Sequence, residues 1–209
     1  AIGPHRRWEM ASLDLDAVKE VRAALGGTVN DVLLAVVAGA LRQLLEARGE
    51  TPPEEIRALI PVSVRGPGST GELGNRVTAV FCALPVGEAD AAERLRKVSR
   101  EMTSLKESGQ AVGALAWTHL GSFAPPAVLA QVARFQSTFR YMNLVVTNIP
   151  GPKDPIYLLG RKMLEWYPLV PLAQGQTLGI AIQSYHGKIG IGLLGDGEAL
   201  RDLPVLARA

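Results

Sequence analysis

An α/β fold, a mixed β-sheet flanked by helices, is the architecture this sequence predicts, and three observations predict it. Residues 26–50, "GGTVNDVLLAVVAGALRQLLEARGE", place apolar side chains at 29, 32, 33, 36, 37, 40, 41, 44 and 45, the three-four spacing of a helix stripe. Residues 177–196, "TLGIAIQSYHGKIGIGLLGD", hold two alternating runs on either side of His186-Gly187, the pattern of a β-hairpin. Strand and helix patterns otherwise follow each other irregularly, with no internal repeat and no low-complexity tract, which suits a mixed sheet in an α/β or α+β sandwich.

In chain order, "RRWEMASLDL" (6–15) reads as a strand in which Trp8, Met10 and Leu13 alternate with polar neighbours. "LDAVKEVRAALGG" (15–27) reads as a short helix with Val18, Val21 and Leu25 on one face, closed by Gly26 and Gly27. In the long helix that follows, Leu34, Ala35 and Ala38 thicken the stripe, so its first three turns are expected to be buried nearly all round. Gly39 costs about 1 kcal/mol against Ala in mid-helix, a signal that another element crosses closely there. "EIRALIPVSVR" (55–65) and "RVTAVFCALPVG" (76–87) read as strands joined by the loop "GPGSTGELGN" (66–75). "ADAAERLRKVSREMTSLKES" (89–108) is a surface helix, with Leu95, Val98, Met102 and Leu105 among charges. Two further helices are expected over 111–123 and 125–140, then a strand in "NLVVTNIPGP" (143–152) and another around "KMLEWYPL" (162–169). In the final hairpin one face carries Leu178, Ile180, Ile182, Ile189, Ile191 and Leu193, and the other Gly179, Ala181, Gly190 and Gly192. A sheet face stripped to glycine and alanine implies close approach of something, either a packed helix, the reading favoured, or a slender ligand.

Composition excludes several classes. The 22 basic and 20 acidic residues give a net charge of +2 without a basic cluster, which argues against nucleic-acid binding. One cysteine, Cys82, leaves no internal disulfide and fits a reducing compartment. The longest uninterrupted apolar run, Val32 to Leu41, is about half of the roughly 20 residues a membrane span needs. The chain opens on Ala1 and stops at "LPVLARA", which reads as a piece of a longer polypeptide.

Few residues carry chemistry unaided. Thr28 and Asp31 have the spacing of a capping box, and Asp31 lies in the first turn, where the helix dipole favours an anion. That accounts for Asp31 but gives Asn30, a poor helix former, no local task. His5, His119 and His186 lie at no metal-ligand spacing, so no metal site is expected; His119 is either a general base or a packed residue. There is no Gly-x-Ser-x-Gly elbow, and residues 66–75 lack the Gly-Lys-Ser/Thr ending of a phosphate loop. Thr147 and Asn148 end an apolar strand just before a turn, as do Gln183, Ser184 and Tyr185; such ends either face a crevice or only stop the strand.

Five stretches recur together in one family: "TVNDVLLAVVAGALRQLL", "PVSVR", "LGNRV" followed by "LPV", "VTNIPGP" and "SYHGKIGIGLLGD", in that order. From about residue 3 to about residue 200 the chain resembles the C-terminal half of bacterial wax ester synthase/diacylglycerol acyltransferases. Those are relatives of the CoA-dependent acyltransferases, which include chloramphenicol acetyltransferase and peptide-synthetase condensation domains. The resemblance implies that residues 1–209 form the C-terminal lobe of a two-lobed O-acyltransferase, with acyl-CoA as co-substrate, a fatty alcohol or diacylglycerol as acceptor, and no cofactor or metal. The family's general base is the second His of a His-His-x-x-x-Asp-Gly motif on the N-terminal half. No His-His pair occurs here, so this chain alone is expected to be inactive and the N-terminal catalytic lobe is its implied partner.

The resemblance also assigns supporting roles. Asn30 and Asp31 match the family's Asn-Asp pair near the active site. By analogy Thr147 or Asn148 is an oxyanion donor, and Gly151, Pro152, Gly179, Ala181, Gln183, Ser184, Gly190 and Gly192 border the substrate. Lipid substrates imply a cytoplasmic protein with room for peripheral contact at membranes or lipid inclusions, and self-association of an isolated lobe is a further expectation. Two other functions fit the residues: a non-catalytic lipid- or CoA-binding module, and a dimerisation or scaffold domain.

Overall fold

The computed structural model describes residues 3–63, 77–108, 143–173 and 175–209. In chain order these form β1 (Arg6–Asp14), α1 (Leu15–Leu25), α2 (Val29–Ala47), β2 (Ile56–Ser63), β3 (Val77–Leu84), α3 (Ala91–Glu107), β4 (Leu144–Ile149), β5 (Tyr157–Leu158), β6 (Arg161–Lys162), β7 (Leu178–Tyr185), β8 (Lys188–Asp196) and α4 (Leu203–Arg208). Six strands make one sheet in the order β1-β8-β7-β4-β2-β3, and β5 and β6 pair only with each other. The three central strands β7, β4 and β2 run parallel, and β1, β8 and β3 run antiparallel to their neighbours. This is the mixed sheet with flanking helices that the sequence predicts. The loop over 66–75 and the two helices expected within 111–140, His119 included, lie outside the described residues.

Strand alternation divides the sheet into two unlike faces. On one, Ala58 and Ile60, Val80 and Cys82, Leu144 and Val146, Ile180 and Ile182, and Ile189 and Ile191 pack into a single core with α2, α3 and α4. Helix α2 is the spine of this layer. Asp31 to Ala35, Val37 to Gly39, Leu41 and Leu44 are buried, whereas Val36 is 40% exposed, so the expected burial all round fails at that position. Gly39 marks the expected close crossing: a Cβ there would lie 3.0 Å from the Arg94 guanidinium of α3. Burial, followed by the nearby charge of Arg42, lowers the Arg94 pKa, and the group donates to the Glu88 carbonyl. On α1 only Val18 is buried; Val21 and Leu25 stay exposed.

The other face is covered differently. Gly190 and Gly192 face the carbonyl oxygens of Trp166 and Pro168, each where a Cβ would stand, and a Cβ on Gly179 would lie 2.8 Å from Val170 Cγ1. An extended segment, residues 166–172, thus lies directly on the glycine face. Among the described residues no helix packs there, and "KMLEWYPL" contributes only Lys162 to a strand, because the main chain that follows lies flat on β7 and β8 instead of pairing edge to edge. Tyr185, buried beside these glycines, anchors the segment: its hydroxyl donates to the Met163 carbonyl and accepts from the Ile156 N–H, both at 2.9 Å. The β7–β8 turn is the two-residue kind with positive φ at both positions, 44° at His186 and 82° at Gly187. In β1, Trp8 pairs with Leu194 and Met10 with Gly192 on this outer side, while Leu13 pairs with Ile189 on the helix side. An odd spacing in a strand puts Leu13 on the opposite face from the other two.

Candidate functional site

The N-terminus of α2 and the ends of the parallel strands β4 and β7 meet at one edge of the helix-covered face. The capping box predicted for α2 is present. Thr28 Oγ1 accepts from the Asp31 N–H at 3.2 Å, and Asp31 Oδ2 accepts from the Thr28 N–H at 2.9 Å. Asp31 is buried, its second oxygen has no partner among the described residues, and a Cβ on Gly27 would lie 3.3 Å from the carboxylate. Asp31 is therefore built into the helix end.

Asn30, one residue earlier, points elsewhere. Its Oδ1 accepts from Asn148 Nδ2 at 3.1 Å, across 118 positions of sequence. Both residues are half-buried. The bond uses one group of each amide and leaves the Asn30 NH2 and the Asn148 carbonyl unengaged among the described residues. Register decides which end-of-strand residue meets α2: Asn148 pairs with Ile182 on the helix-covered face, whereas Thr147 pairs with Ala181 on the outer face. The structure thus brings Asn30 and Asn148 together and places Thr147 on the other side of the sheet.

The turn after β4 is seated against the end of β7. The Gly151 N–H donates to Ser184 Oγ at 3.1 Å, a Cβ on Gly151 would overlap the Ser184 carbonyl oxygen, and the Gln183 side chain lies alongside. The Pro152 carbonyl accepts from the His186 N–H. Gly151 is thus required by close approach, and the Ser184 hydroxyl is committed to holding the turn. Gly179, Gly190 and Gly192 lie against the chain's own residues 166–172, which make the close approach that this small-residue face implies.

Candidate nucleophiles and bases are few. Burial pushes the Cys82 thiol up to about 12, reinforced by the charges of Glu101, Asp31 and Glu55, so it stays protonated and inert. The His186 ring meets the Lys153 carbonyl and the Lys162 ammonium rather than the Asn pair. Among the described residues no cluster of His, Cys, Asp or Glu could hold a metal ion, and no single helix is long and apolar enough to cross a membrane. Sequence reasoning missed the Asn30–Asn148 bond, whose only signal is the strand parity of Asn148.

With this geometry in place, the family comparison is decisive. The family model described as the WS/DGAT C-terminal domain matches residues 73–209. The chain belongs to that family. The model of the wax ester synthase/diacylglycerol acyltransferase catalytic domain matches residues 1–33. A probable diacylglycerol O-acyltransferase of Mycobacterium tuberculosis is 35% identical over 209 residues, which span 99% of this chain and 45% of that protein. The O-acyltransferase WSD of Acinetobacter baylyi is 31% identical over 203 residues, 95% of this chain and 43% of that protein. This chain therefore spans less than half the length of these curated relatives. The wax ester synthase/diacylglycerol acyltransferase of Marinobacter aquaeolei VT8 has the same fold, with a TM-score of 0.74 at 24% identity over 99% of this chain and 48% of that one. The epimerization domain of tyrocidine synthetase B shares it more distantly, at a TM-score of 0.62 and 13% identity over 98% of this chain and 46% of that one.

Proposed function

We propose that this WS/DGAT C-terminal domain is one lobe of an O-acyltransferase that moves a fatty acyl group from acyl-CoA to a fatty alcohol or diacylglycerol. The observation that carries the reading is the Asn30–Asn148 hydrogen bond, which sets two half-buried amides where the N-terminus of a 19-residue helix meets the ends of parallel strands. Ligands of open α/β sheets collect at such strand ends, and a helix N-terminus favours developing negative charge. In this reaction the alcohol oxygen bonds to the thioester carbonyl carbon and its proton passes to a base. The tetrahedral oxyanion then collapses, the C–S bond breaks, and the thiolate of CoA leaves and is protonated.

Within this lobe the Asn30 NH2 is the donor available to that oxyanion, because its carbonyl is already held by Asn148. The Asn148 amide fixes its orientation, and Asp31 fixes the helix end that carries it. The base, a histidine of a catalytic N-terminal half, comes from outside this chain. The reaction so written needs no metal or cofactor, and its lipid substrates suit a cytoplasmic protein with room for peripheral contact at membranes or lipid inclusions.

The test is kinetic. In the full-length protein, Asn30→Ala is expected to lower kcat by about 100- to 1,000-fold with a small change in KM, the pattern of a lost oxyanion donor. Asn148→Ala should fall in the same direction by less, since Asn30 remains but is no longer held. Wild-type turnover in Asn30→Ala refutes the assignment.

A further inference from the structure

From Asp31 to Gly39, helix α2 is buried at every position but one. The exception is Val36, 40% exposed, and one turn on Ala40 is only partly covered. Both open onto the same space, an apolar groove of about 250 Å³ between α2 and α4. Ile191 and Leu193 of the sheet and Leu206 of α4 line it as well. The groove stands apart from the paired amides. Val36 lies about 9 Å along the helix axis from Asn30. The strand that edges the groove, β1, is separated by β8 and β7 from the β4 strand that carries Asn148.

Its chemistry narrows what can fill it. Among the described residues that line it, only Ser12 and Arg208 have polar side chains. Ser12 is in register with Gly190 on the outer-face parity of the sheet, which turns its hydroxyl away from the groove. A polypeptide laid there would press N–H and C=O groups against apolar side chains, whereas a polymethylene chain brings no such groups. A cavity of roughly 150 Å³ holds the six carbons of benzene, so about 250 Å³ holds a chain of about ten. Arg208, exposed in the last turn of α4, has no ion pair or side-chain hydrogen bond among the described residues. A free guanidinium beside an oily groove suits a ligand with one carboxylate at the end of an apolar tail.

We propose that the groove between α2 and α4 is a binding site for a free fatty carboxylate of about ten carbons, its tail against Val36 and Ala40 and its head on Arg208. The ligand is the acid itself and not its CoA thioester, which has lost the carboxylate that Arg208 would hold. It is the compound from which an acyl-CoA is made and to which one hydrolyses. Bound there, it bridges α4 to the helix whose N-terminus carries Asn30.

The test is site-specific thiol protection in full-length protein, read on the labelled peptide by mass spectrometry. Without ligand or lipid, Val36→Cys is expected to react with a maleimide at a rate comparable with that of Glu50→Cys, Glu50 being exposed after α2. Sodium decanoate below its micellar range should slow Val36→Cys saturably, by about tenfold at ten times the half-protecting concentration, and leave Glu50→Cys unaffected. Adding Arg208→Gln should raise the half-protecting concentration of decanoate roughly fivefold, the scale of an exposed charge pair, and leave that of methyl decanoate unchanged. Four results overturn the proposal. Decanoate that fails to protect leaves the groove without this ligand, and a Val36→Cys thiol already shielded without ligand means that polypeptide fills the space. Protection by phosphatidylcholine vesicles alone makes it a membrane contact, and equal half-protection by decanoate with and without Arg208→Gln makes it an unselective oily surface. Should labelling of the buried Cys82 show that Val36→Cys is unfolded, Ala40→Cys is read against the same standards. Because occupancy is read and not turnover, an active Asn30→Ala enzyme would refute the donor assignment and leave this result standing.

Discussion

On its helix side the β7–β8 hairpin presents Ile180, Ile182, Ile189 and Ile191, and the helices answer with side chains that interlock with them; on its outer side it presents Gly190 and Gly192, and what lies against it is main chain. The same strands therefore support two kinds of packing. The first depends on volume, since each branched side chain fills space that nothing else reaches. The second depends on emptiness, since the Trp166 and Pro168 carbonyls rest where a methyl group would be. The comparison teaches that a small-residue sheet face signals close approach without saying by what, and that the approaching group need have no regular secondary structure.

The sharpest way to separate the two faces is to exchange their faults. Ile180→Ala, 1% exposed in the wild type, removes buried volume on the helix side and should cost about 2–5 kcal/mol, the usual range for such a cavity. Denaturant unfolding measures the loss. Cys82 lies in the same core, so its reactivity towards a thiol reagent should rise with it; a stability equal to wild type would mean that the helix layer is not packed on Ile180. Gly192→Ala adds a single methyl group on the outer side and should cost about 1–3 kcal/mol, by overpacking instead of by a cavity. Its signature differs as well. Trp166, which stands 6.3 Å from the Tyr185 ring, should change fluorescence as the extended segment lifts, while Cys82 stays protected. A neutral Gly192→Ala would show that nothing rests on that glycine.

These faces also show what can be read from sequence. Side-chain periodicity reports which residues share a surface, so the helix stripe of α2 and the two faces of β7–β8 are legible, as are the capping box and the crossing at Gly39. Periodicity fails where there is none. Residues 166–172 are extended but unpaired, β5 and β6 have two residues each, and α4 has six, too few to display a repeat. The site was legible in part: Asn30 stood out because no local role accounts for it, yet its partner is 118 positions away. The choice between Thr147 and Asn148 depended on a register that only the sheet supplies.

The smallest expected effects contrast how two aspartates are held. At the end of β8, Asp196 accepts backbone N–H groups of Ala199, Gly3 and Glu198, and those bonds hold its carboxyl below the usual value of 3.8. On the helix side, Asp202 precedes α4 and is gripped at both oxygens by the Arg48 guanidinium at 2.6 and 2.7 Å; that hydrogen-bonded ion pair also lowers its pKa from 3.8. A carboxylate with a folded pKa below its unfolded one stabilises the fold above the unfolded value and ceases to do so as pH falls through the folded value. Stability should therefore decline on acidification from about pH 5 downwards, and Asp196→Asn and Asp202→Asn should each flatten that decline. Salt separates them: the exposed guanidinium pair is screened and backbone donors are not, so 0.5 M NaCl should shrink the Asp202→Asn effect and leave that of Asp196→Asn nearly intact. Acid titrations followed by circular dichroism at two ionic strengths measure this, and equal salt sensitivity would mean that the Arg6 guanidinium, 3.9 Å from Asp196, contributes more than the amides that surround it.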